Sequence, residues 1–88
     1  MIEQIKIKVT LKLYGGLKKY LPKNSLKNQS SIEIKDGVNV EQALNIYGIP
    51  LEECKIVMVN GIHIIHEERA KKILSNSDSL AVWPQSTG

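Results

Sequence analysis

From Ile5 to Leu13 the chain reads Ile-Lys-Ile-Lys-Val-Thr-Leu-Lys-Leu, with every odd position aliphatic and every even one polar. A strict period of two is the pattern of a strand with one buried and one wet face. A helix is excluded, because about 3.6 residues per turn would scatter the same aliphatics around its whole circumference. Such a strand needs a second layer to cover its apolar side. The chain has 88 residues, so that layer must come from the same single domain.

The punctuation after this segment divides the rest of the chain. Gly15-Gly16 ends the strand, and Leu17 to Leu21 is spaced for one short helical turn stopped by Pro22. Lys23 to Ser31 is polar and reads as a loop. Ser31 to Lys35 alternates again, a second strand in hairpin with the first, and Asp36-Gly37 turns the chain out of it. Val40, Ala43, Leu44 and Tyr47 then form one apolar helical stripe. Asn39 and Gln42 are spaced as a capping box, Gly48 suits the left-handed position after the helix, and Pro50 prevents continuation.

Lys55 to Val59 is almost continuously apolar and β-branched, which predicts a strand covered on both faces and therefore central. Asn60-Gly61 predicts a tight hairpin returning through Ile62 to Ile65. Glu67 to Lys72 reads as an exposed turn or short helix, and Leu80 to Trp83 as the last strand, ended by Pro84. Trp83 is the last core residue on this reading, with a partner surface beside the chain end as its alternative. Gln85 to Gly88 has nothing to pack and is expected to be mobile. The order β-β-α-β-β-β predicts an α+β domain over residues 1–84, with a mixed sheet of four or five strands on one main helix at about residues 40–47. Residues 85–88 form its tail.

Composition removes several function classes. Cys54 is the single cysteine, so no intrachain disulfide scaffold exists. It has no neighbouring histidine or Cys-x-x-Cys spacing to lower its pKa, and reads as a small apolar residue. No apolar run approaches the roughly 20 residues of a membrane helix. The alternating N-terminus is unlike a signal peptide, so a cytoplasmic location and no membrane partner are expected. His63 and His66 precede Glu67 and Glu68 as His-x-x-His-Glu, not as the helical His-Glu-x-x-His, and no metal site is expected. The net charge of +3 is concentrated early: residues 1–36 hold eight lysines against three acids. Arg69 is the only arginine and there is no Phe. A solvated lysine face therefore explains the charge better than a nucleic-acid site, which needs arginine forks or stacking aromatics.

Five segments in order resemble the ubiquitin-like β-grasp sulfur carriers, the family of the molybdopterin synthase small subunit and the thiamin-pathway carrier. They are Leu13-Tyr14-Gly15-Gly16-Leu17 with Leu21-Pro22; Val40-Glu41-Gln42-Ala43-Leu44; Val57-Met58-Val59-Asn60-Gly61; Leu74 with Asp78, Leu80, Val82 and Pro84; and a final glycine. The resemblance implies a β-grasp fold and a carrier without catalytic groups of its own. By the same resemblance it would bind no cofactor, and ATP would be consumed by its partner. An adenylyltransferase related to ubiquitin-activating enzymes would activate the Gly88 carboxylate, which becomes a thiocarboxylate. The molybdopterin synthase large subunit, or an equivalent acceptor, would take the sulfur for a molybdopterin, tungstopterin or thiamin precursor. Trp83, Pro84, Gln85, Ser86, Thr87 and Tyr14 would then contact partners. The alternatives are a ubiquitin-like modifier conjugated through Gly88 and a non-catalytic interaction module. Three features depart from the family: Thr87 replaces the usual penultimate glycine, Ser75-Asn76-Ser77-Asp78 replaces an Asp-Gly-Asp turn, and the charge is basic.

Overall fold

The alternating segment forms β1 (Lys6–Leu13), with Ile7, Val9, Leu11 and Leu13 buried and the residues between them half-buried or exposed. A computed structural model describes residues 5–85. The other elements are β2 (Gln29–Lys35), α1 (Val40–Ile46), β3 (Ile56–Val59), β4 (Ile62–His63) and β5 (Ser79–Trp83). A 3-10 helix of two turns lies at Gly15–Tyr20, and single-turn 3-10 helices lie at Leu51–Glu53 and His66–Glu68. The sheet order is β2-β1-β5-β3-β4, with β1 and β5 parallel and the other pairs antiparallel.

One face of this sheet meets α1. Val40, Ala43 and Leu44 are buried there, and Tyr47, the residue that ends the helix, packs against the same core. Fully burying a side chain the size of Val or Leu is worth about 1.5–3 kcal/mol. The capping box is complete: the Asn39 side chain accepts from Gln42 N–H at 2.8 Å, and Gln42 Oε1 accepts from Asn39 N–H at 2.9 Å. Asn60 and Gly61 both have positive φ (53° and 80°), the conformation of a type I′ hairpin.

Five expectations need correction. The central strand is β5, not β3, which lies one strand from the edge and is buried on one face only, through Val57 and Val59. β2 begins at Gln29, because Gln29 and Ser30 pair with Lys12 and Leu11 although they are polar. β4 is only two residues long; Ile64, just past it, is buried in the core and its N–H donates to Val57 O at 2.8 Å.

Arg69, in a segment expected to be exposed, is buried. Its guanidinium donates to the carbonyls of Cys54 (2.8 Å), Lys55 (3.3 Å) and Ile64 (3.5 Å), tying the turn after β4 to the chain entering β3. Trp83 is not in the core, because β5 alternates. Leu80 and Val82 point to the helix side, and Trp83 points away from it. Ser86, Thr87 and Gly88, part of the expected tail, lie outside the described residues.

Candidate functional site

β5 has a neighbour on each side, and at its end three sets of contacts fix where the chain leaves the sheet. The Val82 carbonyl accepts from Tyr14 N–H at 3.1 Å, and the Trp83 carbonyl accepts from Lys55 N–H at 3.0 Å. The Tyr14 and Trp83 rings stack with centroids 4.4 Å apart and planes 2° from parallel. Gly15 lies directly against Pro84: a Cβ built on Gly15 would stand 2.9 Å from Pro84 Cγ, and Gly15 also has φ +56°. Only glycine meets both conditions without strain. The Tyr-Gly pair after β1 is thus the socket for the Trp-Pro pair after β5. Leu17, buried in the first 3-10 helix, anchors that socket to the core.

The face of the sheet away from α1 continues from this socket. Trp83 is opposite Ile56, and Ala81 is opposite both Met58 and Lys12. Tyr14, Trp83, Ile56, Met58 and Ala81 therefore share one face. Gly15, Ile56, Met58 and Ala81 are absent from the expected site residues. The signal was present in Ile56-Val57-Met58-Val59: apolar residues at every position signify two apolar faces, and the second of these faces outward instead of into another layer.

Other motif residues support the fold around the site. Asn60 Nδ2 donates to Asp78 Oδ1 at 2.8 Å, Asn60 Oδ1 accepts from Ser79 N–H at 2.8 Å, and Asp78 Oδ2 accepts from Ser75 N–H at 2.8 Å. The family-like Asn and Asp are thus one hydrogen-bonded lock between the β3–β4 turn and the entry to β5. In the altered turn, Asn76 Oδ1 accepts from Lys8 N–H at 2.9 Å while Ser77 takes φ +73°. Cys54 is buried, its Sγ 3.4 Å from the Pro50 carbonyl. Burial pushes its thiol pKa up, and the Arg69 guanidinium pulls it in the opposite direction. His63 stands opposite Met58 in the ladder and His66 opens the last 3-10 helix. Among the described residues, no group of three or more His, Cys, Asp or Glu side chains converges as a metal site. No helix among them is long and apolar enough to cross a membrane.

A mixed five-stranded sheet on one main helix, with the C-terminal strand in the middle, is the ubiquitin-like β-grasp fold. A family model described as Mut7-C ubiquitin matches residues 6–88, and the chain belongs to that family. Three solved structures share the fold. The HVO 2177 protein of Haloferax volcanii is 14% identical with a TM-score of 0.73, over 94% of this chain and 88% of that one. A Pyrococcus furiosus protein described as molybdopterin converting factor, subunit 1, is 17% identical with a TM-score of 0.64, over 91% and 99%. The small archaeal modifier protein 1 of Methanosarcina acetivorans is 17% identical with a TM-score of 0.63, over 96% and 98%. No curated protein matches the chain.

Proposed function

We propose that this chain is a sulfur carrier that acts through Gly88. The observation that carries the reading is the socket at Tyr14-Gly15, which fixes the exit of the chain at Trp83-Pro84 with ring stacking, a close glycine–proline contact and backbone hydrogen bonds. A carboxylate that must enter another protein's active site benefits from a rigidly held root. The likeness to a protein described as a molybdopterin converting factor subunit supports the same reading.

In this chemistry an oxygen of the Gly88 carboxylate attacks the α-phosphorus of ATP, and pyrophosphate leaves. A sulfur nucleophile supplied by the activating system then attacks the acyl carbon. AMP leaves, and the thiocarboxylate passes its sulfur to an acceptor such as a molybdopterin synthase large subunit. The carrier supplies the carboxylate and its position, and the ATP-dependent adenylyltransferase supplies the catalysis. Incubation with ATP and the adenylyltransferase of the same cell gives an acyl adenylate on Gly88 by mass spectrometry. Absence of the adduct with an enzyme that activates its other carriers refutes the reading.

A second reading is favoured by the likeness to small archaeal modifier protein 1: conjugation of the activated Gly88 to lysines of other proteins. Immunoblots of the source cell separate the two, since a modifier gives a ladder of conjugates and a carrier gives one band.

A further inference from the structure

The hydrogen-bonded lock at Asn60 also holds a chemically reactive pair, because Asn60 is followed by Gly61. In an Asn-Gly pair the glycine nitrogen can attack the side-chain amide carbon of the asparagine, since no Cβ on the second residue stands in the way. Here the nucleophile is available. Both residues are exposed, and the Gly61 N–H has no hydrogen-bond partner among the described residues. The electrophile is held. Asn60 Oδ1 accepts from Ser79 N–H and Nδ2 donates to Asp78 Oδ1, both at 2.8 Å, while Asn60 N–H donates to Ser79 O at 2.9 Å. Asp78 is itself buried, and its other carboxylate oxygen accepts from Ser75 N–H. For attack, the Asn60 amide must swing back over its own peptide bond toward Gly61, and that swing breaks both side-chain bonds.

A type I′ turn accepts Asp-Gly as well as Asn-Gly. What an ionised Asp cannot do is donate to Asp78. The lock therefore requires the amide, and the amide brings the reactive pair with it. We propose that Asn60 is a site of spontaneous deamidation gated by Asp78, and that the reaction keeps the lock open once it has occurred. The Gly61 nitrogen gives up its proton and bonds to Asn60 Cγ. The Cγ–Nδ2 bond breaks, and the nitrogen leaves with that proton as ammonia. Water then opens the cyclic imide at either carbonyl, giving aspartate or isoaspartate, so the net change is water in and ammonia out. In the aspartate product an oxygen takes the place of Nδ2 beside Asp78 Oδ1, and two carboxylates face each other with no proton between them. In the isoaspartate product an extra main-chain atom enters the turn that pairs Val59 with Ile62. Either product frees the β3–β4 turn from the entry to β5.

The whole protein is aged in mildly alkaline buffer beside a synthetic peptide of residues 57–64. Peptide mapping by mass spectrometry reads the conversion at residue 60, and chromatography separates the aspartate and isoaspartate forms. Folded wild type is expected to convert roughly tenfold more slowly than the peptide, because both side-chain bonds must open first. Asp78→Ala removes the acceptor of Nδ2 and is expected to recover most of the peptide rate. Arg69→Lys is its control, since it weakens the fold through the carbonyls of Cys54, Lys55 and Ile64 and leaves the lock intact. At equal folded fraction in dilute urea, Arg69→Lys should convert several-fold more slowly than Asp78→Ala. Asn60→Asp reproduces one product directly and is expected to show a lower Tm than wild type.

The comparison of wild type with the peptide stands whether or not Asp78→Ala folds, and so does the Tm of Asn60→Asp. Wild type that converts as fast as the peptide overturns the gate, and wild type that never converts on prolonged ageing overturns the site. Equal rates in Asp78→Ala and Arg69→Lys overturn the role of Asp78. A wild-type Tm in Asn60→Asp overturns the loss of the lock. None of these outcomes depends on the fate of Gly88, so the carrier reading stands or falls separately.

Discussion

Replacing Gly15 with alanine is predicted to destabilise the protein through two separable effects. Gly15 has φ +56°, and holding an L-residue there costs about 1–2 kcal/mol. The new Cβ would stand 2.9 Å from Pro84 Cγ, and overpacking of this kind costs about 1–3 kcal/mol. The lower part of that range applies, because Pro84 is half-buried at the end of β5 and its ring can shift outward. The sum is roughly 2–4 kcal/mol, against a total stability of roughly 4–13 kcal/mol expected for a chain of this length. Urea unfolding followed by Trp83 fluorescence measures the loss. A double-mutant cycle with Pro84→Ala divides it: removing the proline ring should return the overpacking part, about 1 kcal/mol, and leave the backbone part. If Gly15→Ala stays within about 0.5 kcal/mol of wild type, the close approach has no energetic weight. If Pro84→Ala returns nothing, the contact is not the cause of any loss. Either result removes the physical basis for a built root of the C-terminal segment.

Three further outcomes follow from the fold. Arg69→Lys should cost about 2 kcal/mol or more by chemical denaturation, because an ammonium cannot span the carbonyls of Cys54, Lys55 and Ile64 that the guanidinium holds together; an unchanged midpoint would show that the buried fork contributes nothing. Ser77→Gly should raise stability by about 0.5–1 kcal/mol, seen as a higher Tm, because Ser77 sits at φ +73°; a lower Tm refutes strain at that turn. Burial raises the Cys54 thiol pKa in the folded protein, with Arg69 opposing. The native state therefore holds that proton more tightly than the unfolded chain. The associated stability is complete below the unfolded value of about 8.5 and is lost as pH rises through the higher folded value. Wild type should lose stability more steeply than Cys54→Ala above that pH, and parallel curves would refute the assignment.

The elements whose local pattern and tertiary role agree were legible in the sequence. β1 alternates because it has one dry face, and α1 carries its cap, stripe and terminating glycine in adjacent residues. The failures arose where a pattern has two physical causes. A run such as Ile56-Val57-Met58-Val59 describes a strand buried on both faces and equally one that buries one face and presents the other. Only the register, which sets Ile56 and Met58 opposite Trp83 and Ala81, distinguishes them. Arg69 was hidden for a similar reason. In a segment rich in Glu and Lys it looks like one more surface charge, and its carbonyl partners lie 5, 14 and 15 residues away in sequence. Gly15 and Pro84 each end a strand in the local pattern, and nothing local pairs them: their contact exists only because β1 and β5 are parallel neighbours.

The parallel pairing also places the last strand where it is held most firmly. A strand at the sheet edge is held by a single ladder, and a load on its terminus could peel it away. β5 is held by β1 on one side and β3 on the other, while Leu80 and Val82 are fully buried beneath it. A partner that draws on the residues after Pro84 therefore pulls against two ladders and the core at once. The socket at Tyr14-Gly15 belongs to the chain that leaves β1, so the strand that pairs with β5 in parallel also holds Trp83 and Pro84 at its end. The buried side of β1 anchors the core. Its outer side carries Lys6, Lys8 and Lys12.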